Sequence, residues 1–247
     1  MIANIEHQNR KFKVDLSKPI DISIEIQSGP KNLTAWYVDA PKIEAVKTDD
    51  WVGEVKQGGA VNFFNIFFNP HGHGTHTECV GHISKEQESV NDAMSSYFFE
   101  SQLISIEPQS VGQDKVITLE QIKGKLEPNC QALIVRTLPN LESKKAMQYS
   151  DTNPAYIEKE VALYLRENGI KHLLIDLPSV DKEIDGGVLA AHHAFWNYPV
   201  NTRTDCTITE LIFVAQKVKD GNYLLHLTFA PFKNDASPSR PLLYSIL

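Results

Sequence analysis

The pattern of apolar and polar positions along the chain is mainly that of strands. Short alternating or continuous apolar runs at 11–14, 20–26, 33–38, 61–68, 103–106, 132–135, 173–175, 208–218 and 223–229 are bounded by polar or glycine-containing turns and predict strands. One stretch has a different period. After Asn153-Pro154, the segment AYIEKEVALYLRENGI places Ile157, Val161 and Leu165 four residues apart and ends at Gly169. An Asn cap, a Pro in the first turn and a Gly stop predict a helix there. It lies between the runs QALIVRTL and KHLLIDL, and strand, helix, strand is the unit that builds parallel pairing in mixed α/β domains. A second helix is expected over 187–196, while 84–101 and 233–240 read as surface loops or short helices. Neither a repeat nor a Pro/Gly/Ser linker divides the chain, so residues 1–247 are expected to form a single α/β domain: a mixed β-sheet with helices packed on it.

Composition narrows the function classes. A chain of 247 residues that is 42% hydrophobic can bury a sizeable core. Its 24 basic residues are outnumbered by 31 acidic ones, and Lys and Arg gather in nothing larger than short pairs such as Lys144 and Lys145, so the electrostatic footprint of a nucleic-acid partner is missing. The opening MIANIEHQNRKFKV has no apolar run of signal-peptide length, and no later stretch approaches the roughly 20 apolar residues of a membrane span. The expectation is a soluble, cytoplasmic protein whose partner is a small molecule, with no nucleic acid and no membrane. Cys79, Cys130 and Cys206 are far apart and lack C-x-x-C spacing, which suggests small buried hydrophobes rather than disulfides or a thiolate zinc site.

Candidate chemistry is concentrated in Asn69-Pro70-His71-Gly72-His73-Gly74-Thr75-His76-Thr77-Glu78-Cys79-Val80-Gly81-His82, which holds four of the nine histidines. Histidine is the commonest metal ligand, and glycines after the apolar run VNFFNIFF free the backbone to turn and gather these side chains. His76 and Glu78, two apart on extended backbone, point to the same side and can share one metal or bridge two. His82 follows four residues on, within reach of whatever the metal holds. Further ligands are offered by His192-His193 on the second helix and by Glu210 in ITELIFV, where a carboxylate among apolar residues asks for a compensating cation.

These residues resemble the H-x-G-T-H-x-D-x-P-x-H signature of the cyclase-like superfamily of metal-dependent hydrolases, which includes kynurenine formamidase and isatin hydrolase. Three further features resemble the family in the same order: Asp21-Ile22-Ser23; the helix leading to IDLPSVD, which ends at Asp181; and His192-His193-Ala194-Phe195-Trp196 followed by Glu210. The resemblance implies the swivelling β/β/α fold and an amidohydrolase of the arylformamidase type, in the kynurenine pathway of tryptophan catabolism. It also implies a homo-oligomer and one or two Zn²⁺ or Mn²⁺ ions. In it His76, Glu78, His192 and Glu210 are metal ligands and His82 the catalytic acid/base, with His193 the alternative to His192. This chain departs from the signature in four places. Gly72 stands where the first His belongs, so that ligand role passes to His71 or His73. Glu78 replaces Asp, Val80 replaces Pro, and the gap from His192 to Glu210 is long, implying an insertion around 197–207. The alternatives are a same-fold hydrolase of another cyclic amide, imide or lactone, and a non-catalytic metal or small-ligand binder.

Overall fold

The computed structural model describes residues 1–7 and 10–247. Its centre is a mixed sheet of nine strands: β1 (Ile20–Asp21), β2 (His76–Glu78), β3 (Phe98–Ile106), β4 (Ala132–Thr137), β5 (His172–Ile175), β6 (Thr207–Glu210), β7 (Gly221–His226), β8 (Ala236–Pro238) and β9 (Leu242–Ser245). Across the sheet the order is β8-β2-β6-β5-β4-β3-β7-β9-β1. The central four, β6-β5-β4-β3, run parallel, and the strands outside them pair antiparallel. The α-helices among the described residues are α1 (Pro70–His73), α2 (Leu119–Ile122), α3 (Lys159–Glu167) and α4 (Ala190–Trp196). Parallel strands covered on both faces read as continuous apolar runs. ALIV of β4 shows this directly: Leu133 and Val135 enter one core cluster, with Val161 and Leu165 of α3 and Phe195 and Trp196 of α4. Ala132 and Ile134 enter a second cluster with Leu103, Leu225 and Leu243. The expected mixed α/β architecture is therefore present.

Several elements differ from their predicted bounds, each for a local reason. Helix α3 begins at Lys159 because Tyr156 and Ile157 pair in parallel with Val116 and Ile117. Glu158 then uses its carboxylate to accept from Leu119 N (2.8 Å) at the start of another short helix. Gly169 does close α3, at φ 76°, with Ile170 N donating to Leu165 O. Of 20–26 only Ile20 and Asp21 join the sheet. Residues 33–38 form no strand apart from a single bridge at Thr34: their backbone groups bond to Met147 and Gly72, and Trp36 and Tyr37 take left-handed φ. The run 208–218 leaves the sheet after Glu210, where Leu211 has φ 56°. Two stretches read as surface loops contribute strands instead, Phe98–Ser101 to β3 and 236–238 to β8. The loop after α4 is tied down by Arg203, whose guanidinium donates to Phe195 O and Ile170 O. Among the described residues no helix is long and apolar enough to cross a membrane.

Candidate metal and catalytic site

The site forms where β2, inserted between β6 and β8, brings distant parts of the chain into register. Glu210 lies opposite His76, and Ile208 and Ala236 flank Glu78. Strand alternation sends His76, Glu78 and Glu210 to one face and Thr77 and Thr209 to the other, where their hydroxyls bond at 2.8 Å. Thr75 locks the approach, accepting from Ile24 N (2.8 Å) and donating to Leu211 O (2.5 Å). Gly74 is needed there, because a Cβ would meet Ile26 Cγ1 at 2.9 Å and Ile24 O at 3.2 Å. His71 is presented by the one-turn helix Pro70–His73, capped by Asn69, whose Oδ1 accepts from the backbone N of His71 and Gly72.

Glu78, His76, His192 and Glu210 are all buried. His192 Nε2 lies 3.2 Å from Glu78 Oε1 and 3.8 Å from Glu210 Oε1; His76 Nε2 lies 3.5 Å from Glu210 Oε2 and 4.0 Å from Glu78 Oε2; His71 Nδ1 lies 3.1 Å from Glu78 Oε2. Each of the three imidazoles uses its other nitrogen on an outer acceptor: His76 Nδ1 on Gly74 O (3.0 Å), His192 Nδ1 on Asp181 Oδ2 (2.6 Å) and His71 Nε2 on Asp235 Oδ2 (2.9 Å). This is how proteins fix the tautomer and ring angle of metal-ligating histidines. Asp181 also accepts from the backbone N of Ala191 and His192, anchoring the start of α4. Glu210 Oε1 accepts from Val180 N at 3.0 Å.

The electrostatics ask for a cation. Burial works against charge on His71 and His192, but hydrogen bonds and attraction from Asp235 and Glu78, and from Asp181 and Glu78, outweigh it and leave both imidazoles pushed up to about 10. Burial likewise favours a neutral Glu78, yet the imidazoles of His82, His192 and His71 hold its carboxyl well below the usual range. Even so, His76 Nε2 and Glu78 Oε2 are buried with no aligned hydrogen-bond partner among the described residues, an expensive state for two polar atoms aimed at one point. Donor atoms bound to one ion at about 2.1 Å stand roughly 3.0–3.5 Å apart at ordinary coordination angles, close to the spacings here. The donor set, imidazole and carboxylate, therefore fits a divalent metal. Cys79 adds no thiolate: burial pushes its thiol up to about 12, and Sγ donates to Glu88 O.

The structure brings His71, His76, Glu78, His192, Glu210 and His82 together and leaves out His73 and His193. His73 is buried, with Nδ1 accepting from Asn69 N and Nε2 donating to Asp39 O, both at 2.8 Å. His193 turns away, its Nδ1 against Tyr198 O. His82 sits at the more open rim, with Nδ1 3.3 Å from Asp235 Oδ2 and its ring centre 4.4 Å from that of His71. Two participants escaped motif reading. Asp181 was visible only as the end of IDLPSVD. Asp235 lies in 233–240, a polar stretch that reads as a surface loop or short helix, where nothing distinguishes it from its neighbours in the sequence.

The family model described as "Putative cyclase" matches residues 14–182. The chain belongs to the cyclase family. It is similar along nearly its whole length to the kynurenine formamidases of Bacillus anthracis (29% identical over 233 residues, 93% of this chain and 99% of that one) and Bacillus thuringiensis (28% over 236 residues, 94% and 97%). An isatin hydrolase bound to the product analogue thioisatinate shares the cyclase fold, with a TM-score of 0.68 at 14% identity over 93% of each chain. A potential metal-dependent hydrolase with cyclase activity superposes with a TM-score of 0.65 at 17% identity, covering 92% of this chain and 97% of that one.

Proposed function

We propose that this cyclase-family chain is a metal-dependent amidohydrolase that cleaves the formamide C–N bond of an aryl formamide such as N-formylkynurenine, releasing formate and the free amine. The observation that carries the reading is the convergence of buried His76 Nε2 and Glu78 Oε2, neither with an aligned hydrogen bond among the described residues, on His71, His192 and Glu210. The curated relatives, aligned almost end to end, supply the substrate class. The residues that would hold the ion are His71 through Nδ1, His76 and His192 through Nε2, and the carboxylates Glu78 and Glu210. The ion is Zn²⁺ or Mn²⁺, and the protein works as a cytoplasmic homo-oligomer.

When bound, the metal supplies Lewis acidity, polarising a carbonyl oxygen and making water a better nucleophile. The chain's own residues do the rest. His82, at the rim, takes the proton of the attacking water and returns it to the departing amine as the C–N bond breaks. Asp181, Asp235 and Gly74 O fix the imidazoles in one tautomer.

The test is elemental mass spectrometry of protein purified without added metal, beside hydrolysis of N-formylkynurenine, for wild type, His76→Ala and Glu210→Ala. One or two equivalents of zinc or manganese in wild type, lost in both variants together with activity, is the expected result. Wild type that stays metal-free after incubation with Zn²⁺ and Mn²⁺ sinks the proposal. Metal uptake without formamide hydrolysis, but with opening of a cyclic imide or lactone in the same panel, moves the substrate and keeps the site.

A further inference from the structure

Outside the proposed ligand set, one side chain touches two of its working parts. Asp235 immediately precedes β8, the strand that pairs with β2 through Ala236 and Glu78. Its backbone is pinned there, with Cys79 N donating to Asp235 O (3.0 Å) and Val90 N to Asn234 O (2.8 Å). From this fixed point a single oxygen, Oδ2, meets His71 Nε2 at 2.9 Å and His82 Nδ1 at 3.3 Å. Those two rings lie 4.4 Å apart, tilted by 33°. The side chain of Asp235 is 22% exposed, so it closes the rim rather than filling the interior.

The departure at Gly72 gives this contact its significance. A Cβ at Gly72 would meet Val38 Cγ2 at 2.7 Å and Ala35 O at 3.0 Å, so the position that carries His in the signature has no room for a side chain in this backbone. His71 reaches the cluster from the neighbouring position and does so through Nδ1, whereas His76 and His192 face Glu78 and Glu210 through Nε2. A ring delivered from a different position and turned the other way needs its own outer acceptor. Asp235 is the group that meets its Nε2.

We propose that Asp235 is a positioning residue that holds the displaced ligand His71 and the acid/base His82 with one carboxylate oxygen, so that metal affinity and proton transfer depend on the same side chain. The inference rests on the hydrolase reading above. Removing an outer-shell partner of a ligand typically weakens metal binding 10–100-fold. Asp235→Asn keeps the shape and removes the charge; Asp235→Ser is a second route should Asn fold poorly. Zn²⁺ affinity is measured by competition with a chromophoric chelator, and kcat and KM for the formamide are measured at saturating Zn²⁺. The expected result is Zn²⁺ binding weakened about 10–100-fold, with kcat still depressed at full occupancy and KM changed little. In a double-mutant cycle, Asp235→Asn adds nothing to His71→Asn in Zn²⁺ affinity, because the acceptor has no ring left to hold. Wild-type Zn²⁺ affinity in both Asp235 variants, or additive losses in the cycle, overturns this inference alone. Wild type that takes up no Zn²⁺ overturns the hydrolase reading and this one with it.

Discussion

His71 and His73 sit two residues apart on one helical turn, and their surroundings separate their roles. His73 satisfies both ring nitrogens on backbone groups, Asn69 N and Asp39 O, and is almost fully buried. His73→Ala leaves those groups without their partner and opens a void, so it is expected to cost about 1–3 kcal/mol of stability while metal content stays at the wild-type level. His71→Ala is expected to do the reverse, losing metal with little change in the denaturation midpoint of metal-free protein. Chelator-treated and metal-loaded samples of both variants, compared by urea unfolding and elemental analysis, check the pair; metal loss in His73→Ala contradicts the assignment. The spacing of His76 and Glu78 and the apolar setting of Glu210 were legible in the sequence because periodicity fixes which side a strand residue faces. The choice between His71 and His73 was not, since it turns on which nitrogen finds a carbonyl 34 residues away. Asp235 was illegible for a like reason: its partners are 164 and 153 residues distant.

At the scale of elements, the central strands were readable because burial on both faces makes an uninterrupted apolar run, as in β4 and β5. Their ends were less so. The apolar run after Glu210 continues through Val214, but Leu211 takes φ 56° and the chain leaves the ladder, with those side chains buried against other elements. The start of β5 makes a separate prediction. His172 is buried beneath Phe99, with ring centres 4.0 Å apart, and its Nδ1 meets Thr207 Oγ1. Burial first, and the neighbouring Lys171 cation next, push its imidazole down from 6.5 to about 3. The unfolded chain takes up that proton near pH 6.5 and the folded one does not. The contribution is therefore whole above that pH and is lost as pH falls, at up to about 1.4 kcal/mol per unit. Between pH 7 and 5.5, wild type is expected to lose about 1 kcal/mol more than His172→Gln, which cannot titrate. Urea unfolding at the two values measures it, and parallel losses in the two proteins rule the account out.

Over the whole molecule, strand order is what motif reading did not reach. The four motifs were recognisable one by one, but nothing in them says that β2 lies between β6 and β8, antiparallel to both. That placement draws Glu78, Glu210 and Asp235 to one end of the sheet and, with Asp181 beneath His192, concentrates four carboxylates around the site. Self-repulsion within such a group opposes folding unless cations occupy it. An ion that binds the folded chain and not the unfolded one stabilises it by RT ln(1 + [L]/Kd), about 2.7 kcal/mol at a hundredfold excess over Kd. For a chain of this length each kcal/mol moves the melting temperature by roughly 2–4 °C, so Zn²⁺ at that excess is expected to raise it by roughly 5–10 °C over chelator-treated protein. Because the proposed ligands come from β2, β6 and α4 as well as from the loop before β2, Glu210→Ala is expected to abolish most of the rise even though the loop histidines remain. A Zn²⁺-dependent shift of wild-type size in that variant would mean that loop and strand do not share one site, whereas its loss would tie ion binding to the long-range pairing that builds the fold.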